Sequence, residues 1–471
     1  MERARECEDR GVPEQGEDAA RRRSTLTVAA LSLGTTLNPL NSSMIAVALL
    51  SLQHDFALTT PQVTWVITLF YIASIVGQPL MGRVIDAFGA RRVFVAGMVV
   101  VIVAGVIAPL GGFALVLLSR GILALGTSVA FPAAVALVGP LARAGGMSPP
   151  RLLARIQIAN TTAAALGPVV GGLLIAVAGW PAIFLINVPL GIAALVSVWV
   201  LAPRDTRREA VTGSAVLRVL DPAGVISFAI AAVALTIALL GAGGEATWAV
   251  VAAGVVALGL FVWRELRARS PFIDVRMLAA NRALTLSYLG FTVFSALYYL
   301  AFFGLPQFLE AHAGYSTAIV GLLMLPLSGM TIAIAPLVAR AIDKRGLVPV
   351  LVTMAGTLLV AAGMLGIGVV TTAPVWMLLM AAVMGIPYCM GSLVMTEAVR
   401  RTAPPDAVGV ASGLLQSTRY LGAIVATVVL GRMLAGGVDA AAWGGVVIAA
   451  VATGVVHVAI ALFQASALRR A

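Results

Sequence analysis

The sequence predicts an all-α membrane protein with fourteen transmembrane helices. Of its 471 residues, 60% are hydrophobic and only 11% are charged, and the mean hydropathy is +1.02. Soluble domains hold about 45–50% apolar and about 25% charged residues. A helix needs about 20 apolar residues to cross a bilayer, and such runs recur from Ser24 to Ala467 with short polar breaks.

The predicted spans follow the apolar runs in order. They are 24–50, 63–83, 92–111, 114–138, 152–177, 182–201, 222–241, 247–264, 283–308, 317–340, 348–370, 374–398, 409–433 and 443–466. Residues 1–23 mix acids and arginines without an apolar core, so we expect a disordered tail and not a signal peptide. Residues 467–471 form a second short tail. Cys7 lies in the first tail and Cys389 inside a span, so we expect no disulfide.

Basic residues fall almost entirely on one side of these spans. Of 31 lysines and arginines, only Arg120, Arg419 and Arg432 lie elsewhere when the loops are numbered alternately. The positive-inside rule makes that side cytoplasmic and places both termini there. The net charge of +11 therefore reflects topology, and we expect no binding of nucleic acid.

Two cytoplasmic turns repeat each other. GRVIDAFGARR (82–92) follows the second span, and ARAIDKRG (339–346) follows the tenth. The repeat predicts two six-helix halves, 24–201 and 283–466, joined by a linker, 202–282, that holds two extra helices. Two parallel halves with a substrate site between them are typical of transporters. We expect Asp86 to pair with Arg92 or Arg143 and to bias which side is open.

Four motifs together resemble the major facilitator superfamily, and within it the fourteen-helix drug:proton antiporter branch. They are GRVIDAFGARR, ALGPVVGG (165–172), GWPAIFLINVPLG (179–191) and GVASGLLQSTRYLG (409–422). The resemblance implies secondary active export of drugs or small lipophilic metabolites by alternating access, driven by proton antiport. We expect a monomer in the bacterial cytoplasmic membrane, without cofactor or metal.

The resemblance assigns conformational roles to the turn and to the fifth helix. In the fifth helix, a proline bends the rod and glycines admit a close neighbour, which fits either a gate or simple packing. The conformational residues are Gly82, Asp86, Gly89, Arg92, Gly167, Pro168, Gly171, Gly172 and Asp343.

The first helix departs from the branch pattern. Where the branch shows an acid followed by an asparagine, this chain reads NSSMIAVALL, with Asn41 in place of the acid and Ala46 in place of the asparagine. Asn38 and Ser42 share a helical face beside Asn41. We expect these side chains to line the substrate cavity; the alternative is hydrogen bonding between helices.

Other candidate substrate contacts come from deep charges and aromatic faces. An arginine inside a span is costly enough to indicate function, and aromatic and methionine side chains make an adaptable apolar pocket. The candidates are Arg120, Tyr298, Tyr388, Gln416 and Arg419.

Proton coupling needs a group that changes charge, and no carboxylate lies at the middle of a predicted span. The candidates are Glu397 and Glu310 near span ends, although Glu397 stands three residues before Arg400, which favours a salt bridge. His457 lies deeper, on the last helix, where we expect packing. A cavity without acids predicts neutral or anionic lipophilic substrates rather than quaternary ammonium compounds.

Other protein classes fit less well. The single lysine, Lys344, follows Ile-Asp and not a phosphate-binding glycine loop, which excludes an ATP-driven pump. Three isolated histidines exclude a metalloenzyme, and we expect no enzyme activity. The remaining alternatives are a facilitator or metabolite carrier without proton coupling and, more remotely, a membrane sensor that transports nothing.

Overall fold

A computed structural model describes residues 12–205, 221–239, 247–268, 271–434 and 437–470. Eighteen α-helices account for most of these residues. The first eight are α1 (Val12–Asp55), α2 (Thr60–Phe88), α3 (Ala90–Ile107), α4 (Phe113–Thr127), α5 (Ala130–Ala144), α6 (Pro149–Ala178), α7 (Pro181–Leu185) and α8 (Asn187–Leu201). The others are α9 (Pro222–Leu239), α10 (Thr247–Glu265), α11 (Val275–Ala280), α12 (Arg282–Ala311), α13 (Thr317–Arg345), α14 (Leu347–Met364), α15 (Ile367–Val370), α16 (Pro374–Thr402), α17 (Val408–Met433) and α18 (Ala440–Leu468).

Within the described residues, eleven helical segments are long and apolar enough to cross a bilayer. They coincide with the second to sixth and the ninth to fourteenth predicted spans. Helix α1 is not among them, because Asn38, Pro39 and Asn41 lower its mean hydropathy. Helices α9 and α10 border residues 240–246, which lie outside the described residues. The fourteen-helix count therefore stays a prediction.

The amino-terminal tail is partly helical. We expected disorder to residue 23, but α1 begins at Val12 and runs without a break into the first predicted span. A helix that is already nucleated adds one hydrogen bond per residue, so the apolar span extends into the alanines and arginines before it. Residues 1–11 of the predicted tail lie outside the described residues.

The two repeated turns have the same local geometry. A single glycine joins α2 to α3 and another joins α13 to α14: Gly89 with φ 95° and Gly346 with φ 82°. Side chains other than glycine rarely adopt these backbone angles. The repeat seen in the sequence is therefore a repeat of structure at these turns.

The helices form two compact units. The first comprises Met1–Ile67 and Phe88–Arg208, and the second comprises Thr68–Ala87 and Glu209–Ala471. In the first unit, an apolar cluster that includes Met44, Val66 and Phe184 is capped by Trp180, whose indole N–H donates to Asp55 Oδ2 at 2.9 Å. Because most of α2 belongs to the second unit, its contacts with α17 lie inside that unit.

Candidate functional site

In the first unit, Asn38 and Asn41 of α1 bond to neighbouring helices, and Ser42 bonds within α1. Asn41 is 1% exposed and forms a reciprocal amide pair with Asn187 of α8, at 2.6 and 2.9 Å. The Asn38 amide donates to Thr127 Oγ1 of α4 at 3.2 Å. Ser42 donates to the carbonyl of Asn38 in its own helix. For Asn41, this geometry favours the alternative of helix packing, because both amide atoms are used.

Helix α6 approaches α1 at the glycines of its motif. A Cβ at Gly167 would collide with Ser43, and one at Gly171 would crowd Met44 and Val47. These contacts agree with the close approach that the sequence predicts, with Pro168 inside the same helix. Gly172 differs, because a Cβ there would meet nothing within 4 Å among the described residues.

Arg120 lies on α4 and is 1% exposed. Its Nε donates to the main-chain carbonyl of Val66 at 3.0 Å. A charged side chain inside a membrane span commonly pairs with main-chain carbonyls, and a guanidinium bears several donors for this purpose. This contact gives Arg120 a role in joining α4 to α2.

In the second unit, Asp86 caps α17. Its carboxylate accepts hydrogen bonds from the N–H groups of Gly409 at 2.8 Å and Val410 at 2.7 Å. The first N–H groups of a helix lack partners inside the helix and carry positive partial charge, so they bind anions. The partner that sequence reasoning missed is thus a helix terminus, and pairing of Asp86 with Arg92 or Arg143 stays a prediction.

From the Asp86 cap toward Ile75 and Ser417, helices α2 and α17 stay in close contact. A Cβ at Gly82 would collide with the main chain of Gly409, and a Cβ at Gly413 would collide with the carbonyl of Gln78. One turn further, Ser417 Oγ donates to the carbonyl of Ile75 at 2.6 Å. We call this run of contacts, from Asp86 to Ser417, the α2–α17 seam.

Gly89 and Arg92 lie where the end of α2 meets the start of α3. The N–H groups of Arg91 and Arg92, at the start of α3, donate to the Asp205 carboxylate at 3.1 and 3.0 Å. A side chain on Gly89 would collide with that carboxylate. Asp343, in the repeated turn, is exposed at the end of α13.

A cluster of aromatic side chains surrounds Arg419 of α17. Tyr298 of α12 stacks on Tyr388 of α16 with ring centroids 4.0 Å apart. The Arg419 guanidinium donates to the Tyr420 hydroxyl, lies 5.5 Å from the ring centre of Tyr420 and is in electrostatic range of the phenols of Tyr299 and Tyr388. The tyrosine cluster comprises Tyr71, Tyr298, Tyr299, Tyr388 and Tyr420.

Three buried polar atoms of α2 and α17 have no hydrogen-bond partner among the described residues. Arg419 Nε is buried and makes no hydrogen bond among the described residues, and the same holds for Ser74 Oγ and Gln78 Oε1 of α2. Gln416 is buried one turn before Tyr420. Buried polar groups normally have partners, so an unpaired donor on a guanidinium is suited to a ligand or a water molecule.

The candidate acids lie at helix ends. Glu397 is fully buried and accepts two hydrogen bonds from Arg400, both at 2.7 Å, and one from Arg401 at 2.6 Å. The salt bridge predicted from the sequence is confirmed. Glu310 is exposed, one residue before the end of α12.

Sequence reasoning missed several of these partners. The signal for Asn187 was present, since it lies within the quoted motif GWPAIFLINVPLG. The same holds for Tyr420, which lies within GVASGLLQSTRYLG, whereas Tyr71 and Tyr299 carried no distinguishing pattern. His457 was assigned to packing; it is fully buried, and among the described residues its ring nitrogens reach only the main chain of Gly290, without a hydrogen bond of normal geometry.

Residues 31–427 match the Major Facilitator Superfamily. The chain belongs to this superfamily. It is 36% identical over 417 residues to the uncharacterised MFS-type transporter YwoD of Bacillus subtilis (strain 168), covering 88% of this chain and 91% of the relative. It is 29% identical over 445 residues to the tetracenomycin C resistance and export protein of Streptomyces glaucescens, covering 91% and 79%.

The fold is also similar to that of a solved structure, the human organic anion transporter MFSD10 (TETRAN). The TM-score is 0.62 at 18% identity, over 94% of this chain and 99% of that chain. These findings confirm the predicted superfamily and make the chain a multi-pass membrane transporter and not an enzyme. Assignment to the fourteen-helix branch stays a prediction.

Proposed function

We propose that this transporter exports drugs or small lipophilic metabolites from the bacterial cytoplasm by alternating access, driven by proton antiport. A relative named for tetracenomycin C resistance and export supports the direction and the class of substrate. The basic residues on one side of the predicted spans support cytoplasmic termini. Both the monomeric state and the inner-membrane location belong to this proposal.

The α2–α17 seam supports alternating access. Its helices meet through glycine main chains, and its end is held by one carboxylate on two N–H groups. When α2 and α17 move apart, these contacts are lost together, because they require a close approach of the two backbones and one anion at a helix terminus. The seam thus fits a gate that closes and opens, with Asp86 favouring the closed arrangement.

The Arg419–tyrosine cluster is the proposed substrate site. The observation that carries this proposal is the buried Nε of Arg419, which has no partner among the described residues. A guanidinium and phenol hydroxyls donate hydrogen bonds to an oxyanion or carbonyl, and the stacked rings of Tyr298 and Tyr388 offer faces to a flat apolar ligand. The positive charge disfavours a permanent cation. We therefore propose neutral or anionic aromatic substrates.

The remaining candidate contacts come from the first unit. Asn38, Ser42 and Arg120 keep this assignment as a proposal, whereas the amide pair with Asn187 favours a packing role for Asn41.

We assign proton coupling to an acid at a helix end. Glu397 and Glu310 are the candidates, and coupling through Glu397 requires release of the carboxylate from Arg400 and Arg401. Three hydrogen bonds to guanidinium groups stabilise the ionised form of this acid. Protonation of Glu397 therefore requires Arg400 and Arg401 to move away, and the alternative is a facilitator without proton coupling, in which Glu397 stays ionised.

The substrate proposal is tested by competition among xanthene dyes of similar size that carry a fixed positive charge, no net charge, or a carboxylate. Inside-out membrane vesicles that contain the wild-type protein should take up the carboxylate and neutral dyes in preference to the cation. Arg419→Gln should reduce uptake of the carboxylate dye by at least about tenfold, since loss of a charged hydrogen bond is worth about 1.5–3 kcal/mol.

Arg432→Gln is the matched control, because it removes an exposed arginine from the same helix. We expect it to leave the dye preference unchanged. Strong uptake of the cationic dye by the wild type, unaltered in Arg419→Gln, would refute the assignment of this site.

A further inference from the structure

A buried charge cluster joins the two helices between the predicted halves. The Arg264 guanidinium, at the end of α10, lies between the carboxylates of Asp221 and Glu265. Its Nη1 donates to Asp221 Oδ2 at 2.6 Å and to Glu265 Oε1 at 2.5 Å, and its Nη2 donates to Asp221 Oδ1. Both acids are buried. One arginine thus fixes the start of α9 to the end of α10.

The same cluster extends to the end of α2. Glu265 Oε2 accepts the N–H of Ile273 at 3.0 Å, which holds the segment 271–273 in place. The carbonyl of Pro271, in that segment, accepts a hydrogen bond from the Arg83 guanidinium. Arg83 also lies in electrostatic range of Asp221, Glu265 and Asp86. The cluster therefore contacts α2 three residues before the carboxylate that caps α17.

Apolar side chains reinforce this attachment. Phe261, Phe272 and Ile273 form a buried cluster, against which Leu80 of α2 and Leu414 of α17 pack. Phe228 of α9 lies 5.4 Å from the ring of Phe261 and 5.7 Å from that of Phe272. This apolar cluster thus contacts both helices of the α2–α17 seam and both helices between the predicted halves, α9 and α10.

The backbone is shaped to fit the charges. Asp221 has a φ of 46°, which aspartate tolerates better than most residues. Its Oδ1 accepts the N–H of Gly224 at 3.3 Å. A Cβ at Gly224 would collide with the carboxylates of Asp221 and Glu265 and with Arg264. Two acids and two arginines, Arg83 and Arg264, balance in charge, as buried ionic groups require.

We propose that α9, α10 and the segment 271–273 form a clamp that positions the Arg83–Asp86 end of α2 against α17. Asp221, Arg264 and Glu265 are positioning residues, because they act through Arg83 and not on a substrate. The clamp favours the closed seam, and this role rests on the alternating access of the proposed function. Neutralising one acid leaves Arg264 with a single carboxylate partner and the cluster with an excess of positive charge, which loosens the hold on α2.

The test measures how often the seam opens. Ser412 of α17 is fully buried, and its hydroxyl bonds to the carbonyl of Gly409 in the same helix. Its neighbours Gly409 and Gly413 contact the main chain of α2. We therefore expect Ser412→Cys, in full-length protein with Cys7→Ser and Cys389→Ala, to react with N-ethylmaleimide when these contacts separate. We expect Glu265→Gln and Asp221→Asn each to raise the alkylation rate by roughly three- to thirtyfold, the range typical of coupling networks.

Two controls separate the clamp from general loosening of the fold. Asp274→Asn neutralises an exposed acid nearby, which caps α11, and should leave the alkylation rate unchanged. The native Cys389 is fully buried in α16. In a second Glu265→Gln protein that keeps Cys389 and Ser412 and carries Cys7→Ser, alkylation of Cys389 reports loss of packing outside the seam. We expect that rate to stay at its wild-type value.

If either acid variant folds poorly, Arg83→Gln tests the same link from its other end. It breaks the link at α2 instead of at the insert, so it should raise the alkylation rate at position 412 by a similar factor. Glu265→Gln combined with Arg83→Gln should then add nothing further, because both changes break one link. Wild-type rates in these variants, or full additivity of the two, would overturn the clamp.

Alkylation needs neither substrate nor a proton gradient, so this result is independent of transport. A response at position 412 in a protein that fails to transport the dyes would refute the exporter and leave the clamp intact.

Discussion

Replacing Asp86 by asparagine should open the α2–α17 seam. The carboxylate accepts two charge-assisted hydrogen bonds, at 2.8 and 2.7 Å, from the N–H groups of Gly409 and Val410. Hydrogen bonds to charged groups are worth about 1.5–3 kcal/mol each, and asparagine keeps one neutral bond worth about 1 kcal/mol. The favourable field at the helix N-terminus, up to about 2 kcal/mol, is also lost. These terms sum to about 2–7 kcal/mol; because Asp86 is only half-buried and solvent screens its charge, we expect a net loss at the lower end, about 2–3 kcal/mol, from the closed seam.

This loss corresponds to roughly a 30- to 150-fold shift in the equilibrium between closed and open seams. Alkylation of a cysteine at position 412 should rise by at least about tenfold, since not all of the shift appears in the rate. Transport of the carboxylate dye should slow, while protein abundance and the KM for the dye stay near wild type. The slowing follows because alternating access requires both states to be populated.

The matched control for this change is Asp439→Asn. Asp439 also caps a helix, accepting the N–H of Ala442 at 2.7 Å, but within α18 and away from the seam. It should leave both alkylation at position 412 and transport unchanged. Wild-type alkylation and transport in Asp86→Asn would refute the idea that the carboxylate holds the seam closed.

Three further predictions concern packing. Asn41→Leu and Asn187→Leu should each lower the temperature of thermal unfolding. The double variant should reveal a coupling energy of about 0.6–1.7 kcal/mol between the two amides. Additive losses would contradict the amide pair. Gly413→Val should raise alkylation at position 412, because its side chain collides with the carbonyl of Gln78; an unchanged rate would show that the helices are not in close contact. His457→Leu should unfold at a temperature equal to or above that of the wild type and retain dye transport, since it removes two buried nitrogens that make no hydrogen bond of normal geometry among the described residues; loss of transport with an intact fold would show that the imidazole is functional.

Local features were predictable from the sequence. The superfamily, eleven of the spans, the repeated turn and the Glu397–Arg400 salt bridge all follow from patterns within a few turns of helix. The positive φ of Gly89 and Gly346 explains why both turns carry glycine. Hydropathy and helical spacing determine these features because the interacting residues are close in sequence.

Partners that are distant in sequence were not predictable. Asp86 and Gly409 are separated by 323 residues, and Asn41 and Asn187 by 146. Helical spacing tells which residues share a face, but not which helix covers that face. For this reason the amides of α1 were expected in a cavity, whereas the Asn41 amide pairs with another helix. The same reason explains why Asp86 was expected to meet an arginine.

Transport by purified protein in liposomes distinguishes proton-driven export from uncoupled diffusion. Liposomes with an acidic lumen and a neutral exterior should accumulate the carboxylate xanthene dye, because protons leaving the lumen drive the dye inward. Nigericin, which dissipates the pH gradient, should abolish accumulation. Equal rates with and without the gradient would contradict antiport and establish an uncoupled facilitator, and no uptake of any of the three dyes would contradict export of lipophilic compounds.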